Sequence, residues 1–370
     1  MKNFKTVITF VAGAAVAGTM ATAATTSPTV TACADTRTKV LYLATNGACS
    51  ANRTAVVLGG AGGTSIDAKS IASLVTPSVV SIKVVATAGS GNGSGSIYKT
   101  SATSSYIITN NHVVADAATN GTITVELVSG DQYKATIVGR DASYDLAVLK
   151  VNVGNLPVIA VGDSSQVSVG DPVLAIGSPL GLANTVTSGI ISSLNRPVTT
   201  GTTDSQSYVD AIQTDAAINP GNSGGALVDA QGRIIGVNSA IATLSSGSTS
   251  GNIGLGFSIP INEAKRIIDE IIATGKSTRP VLGVFFDSTY TGAGAKISKL
   301  SAGEGAEKAG IPAGSIIRVI DGVKIPDAET AIVRIRSKAP GTVVSVTVDL
   351  PTGGQKTYSV TLGSAPSSTN

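Results

Sequence analysis

Thr214-Asp-Ala-Ala-Ile-Asn-Pro-Gly-Asn-Ser-Gly-Gly-Ala-Leu227 decides the reading of this chain. It sets Ser223 inside Gly221-Asn222-Ser223-Gly224-Gly225, where the glycines let the backbone turn tightly and leave the hydroxyl unscreened. A serine hydroxyl is a weak nucleophile at neutral pH. It needs a neighbouring base, and that base must be oriented by a third group. The chain holds one histidine, His112, so one imidazole base is on offer. It follows the β-like run Tyr106–Thr109, in Thr109-Asn-Asn-His-Val-Val114. Asp145 heads the apolar run of Tyr144-Asp-Leu-Ala-Val148, where a carboxylate can tuck beneath a sheet and hold the imidazole. Asp141 and Asp163 read instead as exposed turn aspartates. The backbone N–H groups of Gly221 and Ser223 are the candidate donors to a tetrahedral oxyanion. Taken singly, each feature has a bland reading: a lone histidine, a turn aspartate, a glycine turn with an incidental serine. Together they form a Ser-His-Asp constellation, and a histidine base must be neutral to work, so activity should fall in acid.

The chain of 370 residues suits two domains. It is 42% hydrophobic and 13% charged, with 43 glycines and a net charge of +3. Short Val/Ile/Thr-rich runs separated by turns favour strands, and many of them over about 200 residues suggest a barrel pair or a sandwich. No polybasic block is present, which argues against a nucleic-acid partner. One histidine and no Cys-x-x-Cys pair give no metal site, and no cofactor is implied.

Residues 1–23 read as an export signal, with Lys2 and Lys5 ahead of an apolar stretch and a small-residue site at Ala21-Thr22-Ala23. An uncleaved membrane anchor is the rival reading. Cys33 and Cys49 form an even pair outside the cytoplasm, which suggests a disulfide. Lipidation at Cys33 and free thiols are the alternatives. A membrane is a partner only if the N-terminus is retained or lipidated.

Residues 24–68 form an N-terminal segment ending in the Gly59–Gly63 linker. Residues 69–276 are the first domain, in which Gly89–Gly95 reads as a short loop, and Asn195–Ser207 and Thr243–Asn252 as polar flexible loops. A helix over Glu263–Ala273 has Ile267, Ile268, Ile271 and Ile272 on its apolar face and ends at Gly275. Lys276–Pro280 reads as a hinge. Residues 280–363 form a small second domain in which Val281–Phe286 reads as one strand and Ala328–Lys338 as a helix. The polar tail 364–370 is expected to be disordered.

The order His112, Asp145, Ser223 is that of chymotrypsin-like proteases. Residues 69–363 resemble the HtrA/Deg family of trypsin-like serine proteases with one C-terminal PDZ domain. The motifs are Thr109–Val114, Tyr144–Val148, Gly177-Ser-Pro-Leu-Gly-Leu182, Thr187–Ser192, Thr214–Leu227 and Gly254–Pro260. The resemblance implies a mainly β protein: a trypsin-like double six-stranded β-barrel with the site between the barrels, then a small α+β PDZ domain. It also implies ATP-independent cleavage of unfolded or damaged proteins outside the cytoplasm, secreted, periplasmic or at the cell surface, usually by a homotrimer. The triad carries over as His112, Asp145 and Ser223, and the oxyanion hole as Gly221 and Ser223. Ile218 and Val237 should wall the specificity pocket. Ala217 stands where trypsins carry an acid, so cleavage is expected after small or medium aliphatic residues. In the PDZ domain, Leu282, Gly283 and Val284 should bind C-terminal peptides, with Ile332 and Ile335 lining the groove or belonging to the core.

Two other function classes are weighed. A holdase or scaffold on a protease fold would have lost a triad member, and none is lost. An esterase would present its serine on a strand–helix elbow, whereas β-like sequence follows Ser223.

Overall fold

The computed structural model describes residues 30–36, 41–43, 49, 52–58, 67–87, 89–178, 185–200, 207–240 and 254–367. The export segment, the Gly59–Gly63 linker and the Thr243–Asn252 stretch lie outside them. The chain forms two units, residues 1–64 and 65–370.

In the first unit, β1 (Val30–Asp35) is the centre of a three-stranded antiparallel sheet, flanked by β2 (Leu41–Leu43) and β3 (Arg53–Leu58). A disulfide joins Cys33 to Cys49. The Arg53 guanidinium stacks on Tyr42, 3.7 Å from the ring centroid.

The second unit opens with α1 (Ala68–Val75), whose first turn is capped by the Asp67 carboxylate accepting from Ser70 N–H at 3.1 Å. The first barrel follows: β4 (Val79–Ala86), β5 (Gly89–Thr100), β6 (Ser105–Thr109), the short helices α2 (Asn111–Val114) and α3 (Ala117–Asn120), β7 (Gly121–Glu126), β8 (Gln132–Asp141) and β9 (Leu146–Val151). Its strands close in the order β4-β5-β6-β9-β8-β7. The second barrel comprises β10 (Pro172–Gly177), β11 (Thr185–Thr200), β12 (Ser207–Thr214), β13 (Ala226–Val228), β14 (Ile234–Ser239) and β15 (Gly256–Pro260). It closes as β10-β11-β12-β15-β14-β13. Closure removes every free sheet edge.

Strand β9 shows how the sequence builds both cores. Ala147, Leu149 and Val151 pack inside the first barrel. Leu146 and Val148 point the other way, into a cluster shared with the second barrel and with α4 (Ile261–Thr274). That helix buries Ile267, Ile268 and Ile271 completely, each contributing roughly 1.5–3 kcal/mol of transfer free energy. Gly275 ends it at φ +75°, its N–H bonded to Ile271 O.

Several expectations are corrected. Gly89–Gly95 is no loop but the first half of a twelve-residue strand. Two of its glycines are packing requirements: a Cβ on Gly93 would sit 2.6 Å from Val113, and one on Gly95 2.6 Å from Ile107, whereas Gly89 and Gly91 face open space. Residues 195–200 are strand, paired as Arg196↔Ala211 through Thr200↔Ser207.

The C-terminal domain runs β16 (Thr278–Val281), β17 (Val284–Phe286), β18 (Ala295–Leu300), α5 (Gly305–Lys308), β19 (Ile316–Ile320), β20 (Val323–Lys324), α6 (Ala328–Arg336), β21 (Val343–Asp349), β22 (Gln355–Thr361) and β23 (Gly363–Pro366). Its main sheet is ordered β17-β18-β19-β21-β22. The single strand expected over Val281–Phe286 is broken at Gly283, which takes φ +82°. The hinge and the disordered tail are also revised, because β16 and β23 pair with each other from Thr278↔Pro366 to Val281↔Gly363.

Candidate active site

Barrel register brings the base and the acid together. β6 pairs with β9 so that Thr109 faces Ala147. The chain leaves β6 into α2, carrying His112, just where Asp145 leads into β9. His112 Nδ1 lies 2.8 Å from Asp145 Oδ2 and 3.0 Å from Oδ1. The His112 backbone N–H also donates to Oδ1 at 3.0 Å. With its Nδ1–H donated to the carboxylate, the imidazole leaves Nε2 as the acceptor a general base needs. Asp145 is buried, while the histidine side chain keeps 26% of its surface.

The acid's backbone is unusual. Asp145 sits at φ +54°, a left-handed conformation that costs most residues energy but that Asp and Asn tolerate best. Two buried side chains hold it there. Asn110 Nδ2 donates to Asp145 O at 2.9 Å. Asp141 Oδ1 accepts from the N–H groups of Ser143 and Tyr144 at 2.9 and 3.2 Å. Asp141, expected on an exposed turn, is fully buried. Its second oxygen accepts from the Ser277 hydroxyl at 2.7 Å. Burial raises its pKa, and these hydrogen bonds oppose the rise. From the second barrel, Ser239 Oγ approaches Asp145 Oδ2 at 3.4 Å.

Ser223 stands on the turn before β13. Gly224 adopts φ +85°, and a Cβ there would lie 2.1 Å from Ser94 O, so only glycine lets the nucleophile turn approach the first barrel this closely. Gly221 takes φ +97°. Ser223 Oγ accepts a hydrogen bond from the Ala240 N–H at 3.0 Å; among the described residues, none joins it to His112. For Ser223 to act as a nucleophile the hydroxyl would have to swing to Nε2, a tightening common on substrate binding.

Ile218 and Val237 are both fully buried. Ile218 packs with Ile191 and Ile212, and Val237 in the separate cluster that holds the α4 isoleucines.

The site combines a serine on a glycine turn, a carboxylate-oriented imidazole and two barrels. A family profile described as a trypsin-like peptidase domain matches residues 93–237. The solved HtrA-type protease AlgW with a tripeptide is 35% identical, with a TM-score of 0.62, covering 82% of this chain and 98% of that one. This chain belongs to the HtrA-type, trypsin-like serine proteases. Serine protease PepD of Mycobacterium tuberculosis is 48% identical over 80% of this chain and 66% of its own length. The Do-like HtrA of Lactococcus lactis subsp. cremoris is 43% identical over 62% of this chain and 60% of its own. The chain thus spans about 60–66% of these curated relatives.

A groove of about 470 Å³ lies between β17 and α6. Leu282, Gly283 and Val284 line it, with Ile332 and Ile335 opposite and Arg279 and Arg336 among the charged lining groups. A Cβ on Gly283 would strike Glu304 at 2.2 Å. The loop is anchored by its carbonyls, Leu282 O accepting from Ala306 N–H and Gly283 O from Ser301 N–H, both at 2.9 Å.

Helix α6 also meets the protease barrels. Arg334 Nη1 bonds Asp210 Oδ2 at 2.9 Å, Arg336 Nη1 donates to Ser143 O at 3.2 Å, and Tyr144 Oη donates to Arg336 O at 3.0 Å. Beneath this junction is the Glu263 carboxyl, 8% exposed. Burial pushes its pKa up to about 8; Asp210 and Asp141 add to the rise, and Arg266 and Arg336 oppose it. An acid whose folded pKa is raised contributes stability below its unfolded pKa and loses it as pH rises through the folded one. Glu263→Gln should therefore melt higher than wild type at pH 8, the gap closing toward pH 4.5. Melting curves across that range check it, and a gap independent of pH would contradict the buried neutral carboxyl.

Of the residues named from the sequence, the structure brings His112 and Asp145 into hydrogen-bonding distance; sequence reading missed Asn110, Asp141, Ser239 and Ser94 around them. Asn110 was visible as a neighbour of His112. The alternation of glycines at 89, 91, 93 and 95 is a period-two strand signal that would have put Ser94 in a sheet.

Proposed function

We propose that the protein is a serine endopeptidase in which Ser223 attacks the scissile carbonyl, His112 takes and returns the proton, and Asp145 orients the imidazole. The Gly221 and Ser223 N–H groups receive the oxyanion. The observation that carries this reading is the bond between His112 Nδ1 and Asp145 at 2.8 Å, with Ser223 on a glycine turn of the adjoining barrel. Metal, nucleotide and organic cofactors have no part in it. A fluorophosphonate probe tests it: labelling should fall on Ser223 and vanish in Ser223→Ala, while labelling elsewhere would refute the assignment.

Its substrates, in this reading, are unfolded or damaged proteins outside the cytoplasm, cut without ATP after small or medium aliphatic residues, by an enzyme that assembles as a homotrimer. Several relatives support the location, among them a probable periplasmic serine protease of Haemophilus influenzae. Specificity still rests on Ala217 in place of an acid, with Ile218 nearby.

The C-terminal domain is proposed to be a PDZ domain. What supports this is the groove between an open strand edge, β17, and a helix, with a glycine loop at its end. A peptide would add as a strand beside β17, its terminal carboxylate at Leu282–Val284. Binding of a hydrophobic-tailed peptide should weaken at least about tenfold when its C-terminus is amidated, since charge-assisted bonds are lost. Fluorescence anisotropy reads this out, and equal affinity for both forms would count against the groove.

A further inference from the structure

Ser94 lies in the first barrel, on β5, yet each of its polar groups serves the active site. It is fully buried. Its backbone N–H donates to Ser223 O at 2.8 Å, and its carbonyl accepts from Thr109 Oγ1 at 2.7 Å. Its hydroxyl does two further things. It donates to Gly221 O at 2.6 Å and accepts from the Ser178 N–H, at the end of β10, at 2.7 Å.

The peptide unit that carries Gly221 O also carries the Asn222 N–H. That N–H donates to Asn219 O at 2.9 Å. Both polar ends of the Gly221–Asn222 peptide are thus held, one by the nucleophile turn itself and the other by Ser94. This peptide lies between the two N–H groups proposed to receive the oxyanion. Gly221, at φ +97°, has no side chain to restrict its rotation. The direction of its N–H is therefore set by what holds the plane beside it.

We infer that Ser94 is a positioning residue for the oxyanion hole, its hydroxyl fixing the Gly221–Asn222 peptide from the opposite barrel and tying it to the end of β10. The inference rests on the reading of Gly221 and Ser223 as oxyanion donors. The physical reason is that such donors work only when pre-aimed, since reorienting them in the transition state forfeits the gain. The niche around the hydroxyl is tight: a Cβ on Gly177 would lie 3.0 Å from Ser94 Oγ. Removing the oxygen leaves the Gly221 carbonyl without that clamp, while the nucleophile, base and acid are untouched.

The test compares wild type, Ser94→Ala and Ser94→Cys, which fills the niche with a weaker donor, using a peptide substrate and the matching peptide boronic acid. The Ser223 hydroxyl adds to boron, its proton passes to His112, and a boron-bound oxygen occupies the hole. In Ser94→Ala, kcat should fall roughly 10–100-fold with KM within about twofold, less than the loss of a whole donor because the N–H is misaimed rather than absent. Boronate affinity should fall by the same factor, and Ser94→Cys should be intermediate. If Ser94→Ala does not fold, Ser94→Cys carries the test. A folded variant with kcat and boronate affinity within twofold of wild type overturns the assignment. A loss of ground-state peptide affinity equal to the loss of boronate affinity also overturns it, because that marks general loosening. Failure of wild type itself to bind the boronate, or retained activity in Ser223→Ala, would instead sink the underlying reading of the active site.

Discussion

Ser223→Ala, purified beside wild type, should degrade casein at least about ten-thousand-fold more slowly, the scale seen when a triad nucleophile is removed. The size of the effect follows from the division of labour in the site. Without Oγ there is no acyl-enzyme, and His112 can only assist a water that nothing positions. What survives is binding and the backbone donors. Ser223 is almost wholly buried, but alanine fits its space and the backbone bond from Ser94 N–H to Ser223 O remains. The melting temperature should therefore stay close to that of wild type. A large stability loss would blur the result, and equal casein cleavage by both proteins would mean a different nucleophile or a contaminant.

Asp145→Asn should lower kcat by about ten-thousand-fold with KM little changed. The carboxylate accepts from His112 Nδ1–H and from the His112 backbone N–H. An amide presents one acceptor and one donor. If its oxygen keeps the backbone N–H, its NH2 faces Nδ1 and forces the proton onto Nε2, which then cannot accept from Ser223. Asparagine is the informative choice because residue 145 is at φ +54°, a conformation Asn tolerates. The fold should survive, and circular dichroism melts should confirm it. Asp145→Ala would add backbone strain of roughly 1–2 kcal/mol, mixing chemistry with stability. A folded Asp145→Asn retaining a tenth of wild-type kcat would remove the acid from the mechanism.

The proposed triad could be named from the sequence because its chemistry is written in residue types: one histidine, a serine among glycines, an acid at the head of an apolar strand. Helix α4 was legible for a similar reason, since its isoleucines recur at helical spacing and Gly275 can take the left-handed cap. What escaped was decided by partners distant in sequence. Gly89–Gly95 has a composition that signals a loop, yet Val113, Ile107 and the nucleophile turn need the room that its glycines leave. Asp141 looks like any turn aspartate until Ser277, 136 residues later, donates to it. Residues 195–200 are mostly polar and contain Pro197, and pairing with β12 makes them a strand. The tail escaped because its partner, β16, looked like a hinge.

That last pairing governs how the C-terminal domain answers to force. Thr278, where the chain enters, faces Pro366, where it leaves, and the far end of the pair is Val281 with Gly363. Tension applied between the two ends of the domain would pull both strands from the same side. The bonds would then open one after another, from Pro366 inward, as a zip opens, instead of resisting together in shear. A load applied beyond the last strand, by a processive unfolding machine or by a tethered bead, would meet this clasp first, and the clasp would part at low force before the domain's main sheet was strained.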